Sequence, residues 1–253
     1  MDIKLKKVLI TGASKRIGSA MAMECAKNGW DIVLHYNKSK RLCYELQKKL
    51  LKISKSVEIF NADLSKEKEV INLFESASKL SPINALINNA SLFEYDNAKT
   101  FNTENLIKHI NVNSIAPAIL IKNLRENLPK KSKANVINIL DAKLFGLNPD
   151  YYSYTISKSL LEFINKISAQ SFAPFLRINA IAPGIVLPSG KQTIKEFNKA
   201  HKKNPLRNGA NIKELLSVMN LLLNTETMTG EVIILDGGNH LQPTPRDVAF
   251  LKD

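Results

Sequence analysis

A chain of 253 residues with 44% apolar content can fill the core of one large α/β domain. Its two cysteines, Cys25 and Cys43, both fall in helical patterns, which argues against a disulfide framework and for a reducing, cytoplasmic compartment; the charged start Met1–Lys7 shows no secretory signal, and no apolar run approaches the length of a membrane span. The net charge of +13 is spread as lysines along helical stretches (Lys48, Lys49, Lys52, Lys55, Lys66, Lys68) with no recognition module, so it reads as a solvated surface that draws anionic ligands, not as a nucleic-acid interface.

Short β-rich apolar runs alternate with helical patterns along the chain. The first predicted strand, Lys7–Thr11, runs into Thr11-Gly12-Ala13-Ser14-Lys15-Arg16-Ile17-Gly18, which opens a predicted helix over Ile17–Asn28. Gly12 and Gly18 flank a turn that exposes backbone N–H groups at a helix start, an arrangement suited to a pyrophosphate. Gly12, Ser14, Arg16, Ile17 and Gly18 are therefore candidate cofactor contacts. The second strand, Asp31–His35, ends in His35-Tyr36-Asn37-Lys38-Ser39 before a helix over Lys40–Lys52. A carboxylate here would grip the ribose 2′-hydroxyl of NAD and repel a 2′-phosphate. This chain has none, and His35, Asn37, Lys38 and Ser39, with Arg16 nearby, offer cations and donors that suit a 2′-phosphate; the expected cofactor is NADPH. Strand three, Ser56–Asn61, leads through Asp63-Leu64 into a helix over Lys66–Lys79, and strand four, Ala85–Asn88, ends in Asn88-Asn89-Ala90-Ser91-Leu92-Phe93. Asp63 also fits a purely local N-cap, and the asparagine pair a local turn. Phe93 is an aromatic able to sandwich a flat heterocycle, or else a core or lid residue.

A helix over Asn105–Asn127 follows, then strand five, Asn135–Leu140, which ends at Asp141. The next predicted helix, Ser153–Ser171, carries Tyr154 and Lys158 four residues apart and so on one face. A free tyrosine titrates near ~10, and an ammonium at Lys158 is expected to lower the phenol into the range of useful acid/base chemistry. An ionised Asp141 cannot donate a hydrogen bond; it accepts from an N–H, or donates when burial raises its pKa, chemistry that fits a nitrogen-rich ring better than a ketone. A plain loop-capping role for Asp141 is the alternative. Strand six, Arg177–Ala182, is followed by Pro183-Gly184 and by an irregular stretch, Ile185–Asn211, that is expected to form a substrate lid. A helix over Lys213–Leu223 and a strand over Glu231–Leu235 close the alternation. The pattern implies an α/β fold of one domain, residues 1–253: a doubly wound, seven-stranded parallel sheet of the Rossmann type with helices on both faces.

The loop Thr11–Gly18 resembles the T-G-x-x-x-G-x-G signature of the short-chain dehydrogenase/reductase family, with Arg16 in place of the middle glycine. The family's catalytic Asn, Ser, Tyr and Lys correspond to Asn113, Asp141, Tyr154 and Lys158, so that aspartate replaces serine; Asn113 is preferred to Asn111 because Ile115–Ile121 then falls in register. The resemblance covers the whole chain, down to Asp236-Gly237-Gly238. It implies that Asp63 faces the adenine amino group, with Leu64 beside it, and that Asn89, Ala90 and Ser91 match the family's N-N-A-G with serine at its end. It further implies that the Asn113 carbonyl holds a water linking Lys158 to solvent, that Lys158 holds the nicotinamide ribose, and that Pro183-Gly184 closes over the nicotinamide.

Within the family, the combination of Arg16, Ser91 and Asp141 is similar to pteridine reductases and bacterial dihydromonapterin/dihydrofolate reductases; Ser91-Leu92-Phe93, His35-Tyr36-x-x-Ser39 and Asn113-Ser114-Ile115-Ala116-Pro117 follow the same pattern. The resemblance thus implies an NADPH-dependent, metal-free reductase of a dihydropterin, dihydromonapterin or dihydrofolate, assembled as a homotetramer. Phe93 would stack on the pterin, and Arg16, Ser91, Asp141 and Tyr154 would contact it. Two alternatives stand beside it. One is a carbonyl reductase of the same family, such as a 3-oxoacyl-thioester reductase, against which Asp141 argues because a carbonyl oxygen needs a donor. The other is a non-catalytic NADP(H)-sensing protein, against which the intact Tyr154 and Lys158 argue. The tail Leu241–Asp253 is expected either to reach a neighbouring subunit or to be loose.

Overall fold

A computed structural model describes residues 6–188, 193–242, 244–247 and 250. Seven strands, β1 (Lys7–Ile10), β2 (Asp31–Tyr36), β3 (Val57–Asn61), β4 (Ala85–Asn88), β5 (Ala134–Ile139), β6 (Leu176–Pro183) and β7 (Val232–Leu235), form one sheet. Their order is β3-β2-β1-β4-β5-β6-β7, and every neighbouring pair is parallel. The expected doubly wound sheet is therefore present. The chain order reverses between β1 and β4, and a crevice opens there at the carboxyl ends of the strands, where such sheets take ligands.

Successive side chains of a strand face opposite sides of the sheet, and β1 shows how that builds two cores. Val8 and Ile10 pack on one side with α1 (Arg16–Lys27), α2 (Lys40–Leu50) and α8 (Ile212–Asn224), through Met21, Cys25, Leu46 and Met219. Leu9 points to the other side and packs with α3 (Glu67–Ser78) and α5 (Ala116–Glu126), through Leu73, Phe74, Leu120 and Leu124. Full burial of each such side chain contributes about 1.5–3 kcal/mol. Both cysteines are core residues without a disulfide. Among the described residues no helix is long and apolar enough to cross a membrane.

Two local departures from the predicted elements bear on the site. The single helix expected over Asn105–Asn127 is α4 (Thr103–Ile110) and α5, joined by a π-helical turn, Asn111–Ile115, whose following N–H, at Ala116, bonds back to the Asn111 carbonyl. Pro117 contributes to this break: it has no N–H to offer the carbonyl four residues earlier, which is that of Asn113. The stretch expected as an irregular lid contains a helix, α7 (Ile194–His201), nucleated by a capping box in which Thr193 and Glu196 satisfy each other's backbone N–H groups. The remaining long helix, α6 (Tyr152–Phe172), crosses behind β5 and β6 and carries Tyr154 and Lys158.

Candidate active site

At the first βα turn, Gly12 adopts φ +61°, and a Cβ there would stand 2.9 Å from the Ala90 Cα. A Cβ on Gly18 would stand 2.7 Å from Asn89 Nδ2. Both positions thus require glycine for close approach of backbone, the property a phosphate cradle needs. Arg16 holds φ +55°, a left-handed conformation costly for a residue with a side chain. A residue with a cationic side chain thus holds a backbone geometry that favours glycine. The Arg16 guanidinium donates to the Pro188 carbonyl at 2.5 Å, tying the loop to the segment that follows β6.

The loop is pinned from beneath. Thr11 Oγ1 accepts from the N–H groups of Asn89 and Ala90, each at 3.0 Å, and Asn89 Nδ2 donates to the carbonyls of Thr11 and Gly12 at 2.9 and 3.1 Å. His35 is the correction here: it does not line the cleft but is buried under the loop. Its Nδ1 accepts from the Gly12 N–H at 3.1 Å, and its Nε2 lies 3.0 Å from the Ala62 carbonyl. A backbone N–H only donates and a carbonyl only accepts, so the ring is the neutral tautomer protonated at Nε2. Burial pushes its pKa down to about 4. His35 is a post that fixes the loop, with no group left to offer a ligand.

Asn37, Lys38 and Ser39 line the cleft beside the end of β2, where the Asn61 amide donates to the carbonyls of Tyr36 and Asn37. Asp63 and Leu64 line it too; the Asp63 carboxylate accepts from the Ser65 N–H and hydroxyl, and it does not cap the following helix, whose N-cap is Lys66.

At the other end of the cleft the Tyr154 hydroxyl donates to Asp141 Oδ2 at 2.7 Å, while Asp141 Oδ1 accepts the Lys143 N–H at 2.9 Å. Asp141 therefore does cap the short 3₁₀ turn Ala142–Phe145, and it also holds the tyrosine. Burial raises the Asp141 carboxyl above the ordinary carboxylate range. Tyr154 is pushed well above 10, first by burial and then by Asp141. This overturns the expectation that Lys158 lowers the phenol: the Lys158 ammonium lies 5.8 Å from the Tyr154 ring centroid and donates to the Ile139 carbonyl at 2.6 Å. Burial lowers Lys158 itself to about 8, against the pull of Asp141. Burial and the contact with Asp141 thus hold the Tyr154 phenol in its protonated form.

Asn113, like His35, stands outside the cleft lining. Fully buried, its side-chain oxygen accepts the Leu92 N–H at 2.7 Å, and its amide donates to the Leu92 carbonyl and to Ser157 Oγ, each at 2.9 Å. It clamps the segment after β4 that carries Ser91 and Phe93 onto α6. Ser91 Oγ donates weakly toward the Leu92 carbonyl and Asn113 Oδ1, both at 3.3 Å.

Every other site residue expected from the sequence lines one cleft of about 980 Å³, at the upper end for a ligand site. Phe93, 46% exposed, presents its ring there, with Tyr151 stacked on one face at 4.3 Å and Tyr154 edge-on at 4.7 Å. Tyr151 was not anticipated. It enters α6 at φ +55°, a strained conformation for an aromatic residue, and so reaches back over Phe93. Lys143, Thr244 and Asp247 also line the cleft without having been foreseen. Lys143 lies two residues after Asp141 and was legible by proximity; the tail residues gave no local signal.

Residues 12–240 match the family model described as enoyl-(acyl carrier protein) reductase. A dihydromonapterin reductase from Enterobacter is 25% identical over 239 residues, covering 93% of this chain and 97% of its own. An uncharacterised oxidoreductase, YmfI of Bacillus subtilis, is 25% identical over 93% of this chain and 99% of its own. Among solved structures, FolM alternative dihydrofolate reductase 1 from Brucella canis, complexed with NADP, superposes with a TM-score of 0.87 at 33% identity, over 93% of this chain and 94% of that one. The Brucella suis protein of the same name, also in complex with NADP, gives 0.86 and 33%.

Proposed function

This chain belongs to the short-chain dehydrogenase/reductase family, and from that premise we propose that it is an NADPH-dependent reductase of a dihydropterin, dihydromonapterin or dihydrofolate. The observation that carries the reading is the 2.7 Å hydrogen bond from Tyr154 to Asp141, in the place where carbonyl reductases of the family present serine. The loop at Gly12–Gly18, which has no room for a Cβ, fits a pyrophosphate; Asn37, Lys38, Ser39 and Arg16 supply the donors and cations that suit a 2′-phosphate, with no carboxylate in that stretch. Two structural relatives named for NADP complexes support the same cofactor.

When bound, NADPH supplies a hydride to the carbon of a ring C=N. The chain's own residues handle the proton. Tyr154 donates it to the adjacent nitrogen, directly or through a water, and Asp141, whose carboxyl is held above its usual range, replenishes the phenol. Lys158, anchored to the Ile139 carbonyl, is positioned to hold the nicotinamide ribose. Asn113 gives an outlet behind Lys158, because Pro117 leaves its carbonyl without the usual helical donor. Phe93 and Ser91 form one wall of the substrate slot, and Pro183-Gly184 the floor beside the nicotinamide.

The protein acts as a homo-oligomer, a tetramer on the family resemblance. Leu160, Phe163 and Ile167, spaced along one face of α6, are 39, 63 and 61% exposed, which supports subunit contact there. Steady-state NADPH oxidation tests the activity, with dihydrobiopterin, dihydromonapterin and dihydrofolate set against acetoacetyl thioesters and simple diketones. Turnover on the pterins is expected; turnover confined to carbonyls overturns the reading, and tight NADPH binding without turnover on any substrate favours a sensor.

A further inference from the structure

The tail beyond β7 folds back onto its own chain at the substrate end of the cleft. Its anchor is Asp150, whose side chain is 2% exposed. Arg246 grips this carboxylate through Nε to Oδ2 and Nη2 to Oδ1, both at 2.8 Å, the Asp247 N–H donates to Oδ2 at 2.8 Å, and the Tyr95 hydroxyl donates to Oδ1 at 3.2 Å. The Asp150 backbone carbonyl in turn accepts from the Lys143 ammonium. A two-pronged guanidinium–carboxylate contact with further donors is among the stronger ways to fix a chain segment. Three separate stretches of chain, those after β4, β5 and β7, therefore meet on this one residue.

The next residue is Tyr151, and three groups that hold its ring are each tied to Asp150. Tyr95 meets the ring edge-on at 5.3 Å, the Lys143 ammonium lies 5.3 Å from its centroid, and Phe250, four residues beyond Arg246, lies nearly parallel to it at 6.1 Å. Tyr151 itself stacks on Phe93 at 4.3 Å. An aromatic residue at φ +55° persists only where its surroundings fix it, and here the fixing groups converge on the neighbouring carboxylate.

We propose that Asp150 is a positioning residue for the substrate: with Arg246 it fixes Tyr151, and through Tyr151 the Phe93 wall, so that the chain's own tail completes the slot for a flat ring. The inference rests on the pterin reading above and deepens it. A stacking wall holds the ring alike before and during hydride transfer, so loosening it weakens binding and spares the chemical step.

The test takes Arg246→Gln and Tyr151→Leu, singly and together, through steady-state kinetics on dihydrobiopterin or dihydromonapterin and calorimetric titration with NADPH. The Arg246 side chain is 46% exposed, so its exchange reaches Asp150 from the solvent side without opening the core. Each single variant should raise KM about tenfold, with kcat and the NADPH Kd within about twofold of the wild type. The double variant should lose no more than either single one, because the latch acts through Tyr151. Arg246→Lys, which keeps the charge but not the two-pronged grip, should fall between the wild type and Arg246→Gln. A KM unmoved by Arg246→Gln, a rise that multiplies with that of Tyr151→Leu, or an equal loss of NADPH affinity overturns the inference while leaving the pterin reading intact. Absence of pterin turnover by the wild type overturns both.

Discussion

A tyrosine and a lysine one helical turn apart are usually read as a cation lowering a phenol, yet here the nearest partner of the Tyr154 hydroxyl is a carboxylate. That exchange changes what the tyrosine is for. Burial and the contact with Asp141 keep the Tyr154 phenol protonated, so in the proposed reduction, which consumes a proton, the protonated phenol is the form that meets the substrate nitrogen. Tyr154→Phe should therefore lower kcat by roughly 10²–10⁴ with the melting temperature little changed, as measured by steady-state kinetics beside calorimetry. Near-normal turnover would contradict the assignment. Tyr154 and Lys158 could be picked out of the sequence because they share one helical face, whereas Asp141, just after β5, and Phe93, five residues beyond β4, were reached through the resemblance to the family. The direction of the tyrosine's shift was not legible. It depends on how deeply the pair is buried and on which side chain comes within 2.7 Å, and neither follows from spacing.

At the scale of elements, the strands and long helices follow their periodic patterns, whereas α7 rises from a stretch expected to be irregular. Its signal was present as Thr193-x-x-Glu196, but an eight-residue helix offers too short an apolar rhythm to stand out. His35 was misread for a different reason. A histidine at the end of a strand next to a phosphate-binding turn looks like a ligand, and only the fold shows it beneath the turn, with both ring nitrogens taken. The turn itself makes a prediction through Arg16. Replacement by glycine removes a left-handed cost of about 1–2 kcal/mol and adds back about 1 kcal/mol of chain entropy, so stability should change little. NADPH affinity should nevertheless fall about tenfold or more with the loss of a charge-assisted contact, while NADH affinity stays within about twofold. Calorimetric titration with both nucleotides decides it, and an equal loss for both would remove Arg16 from 2′-phosphate recognition.

For the whole molecule, the neutral His35 makes the fold sensitive to mild acid. The unfolded chain takes up a proton near 6.5 and the folded chain only near 4, so this contribution is complete above about 6.5 and is lost as pH falls toward 4. The interval corresponds to roughly 3 kcal/mol. Denaturant titrations between those pH values should show the slope in the wild type and its loss in His35→Gln; a flat wild-type profile would mean that the imidazole is reached by solvent. The exposed stripe on α6 makes a second prediction at this scale. Light scattering should return a mass near four times the 28.3 kDa chain, and a charge at Phe163 should reduce it; a wild-type monomer at micromolar concentration would contradict the proposed assembly. The tail's return to Asp150 had no precursor in the sequence, since Arg246 and Asp150 are brought together only by the closed fold.

Aspartate at position 141, on the proposed function, makes this a reductase of a ring nitrogen–carbon bond rather than of a carbonyl. Its most direct test is kcat/KM for a dihydropterin and for an acetoacetyl thioester, measured in the wild type and in Asp141→Ser. Serine should cost at least about tenfold on the pterin, with the loss of the Tyr154 partner, and raise activity on the thioester by restoring a donor. A variant that keeps its pterin turnover, or a wild type that already prefers the thioester, would contradict it.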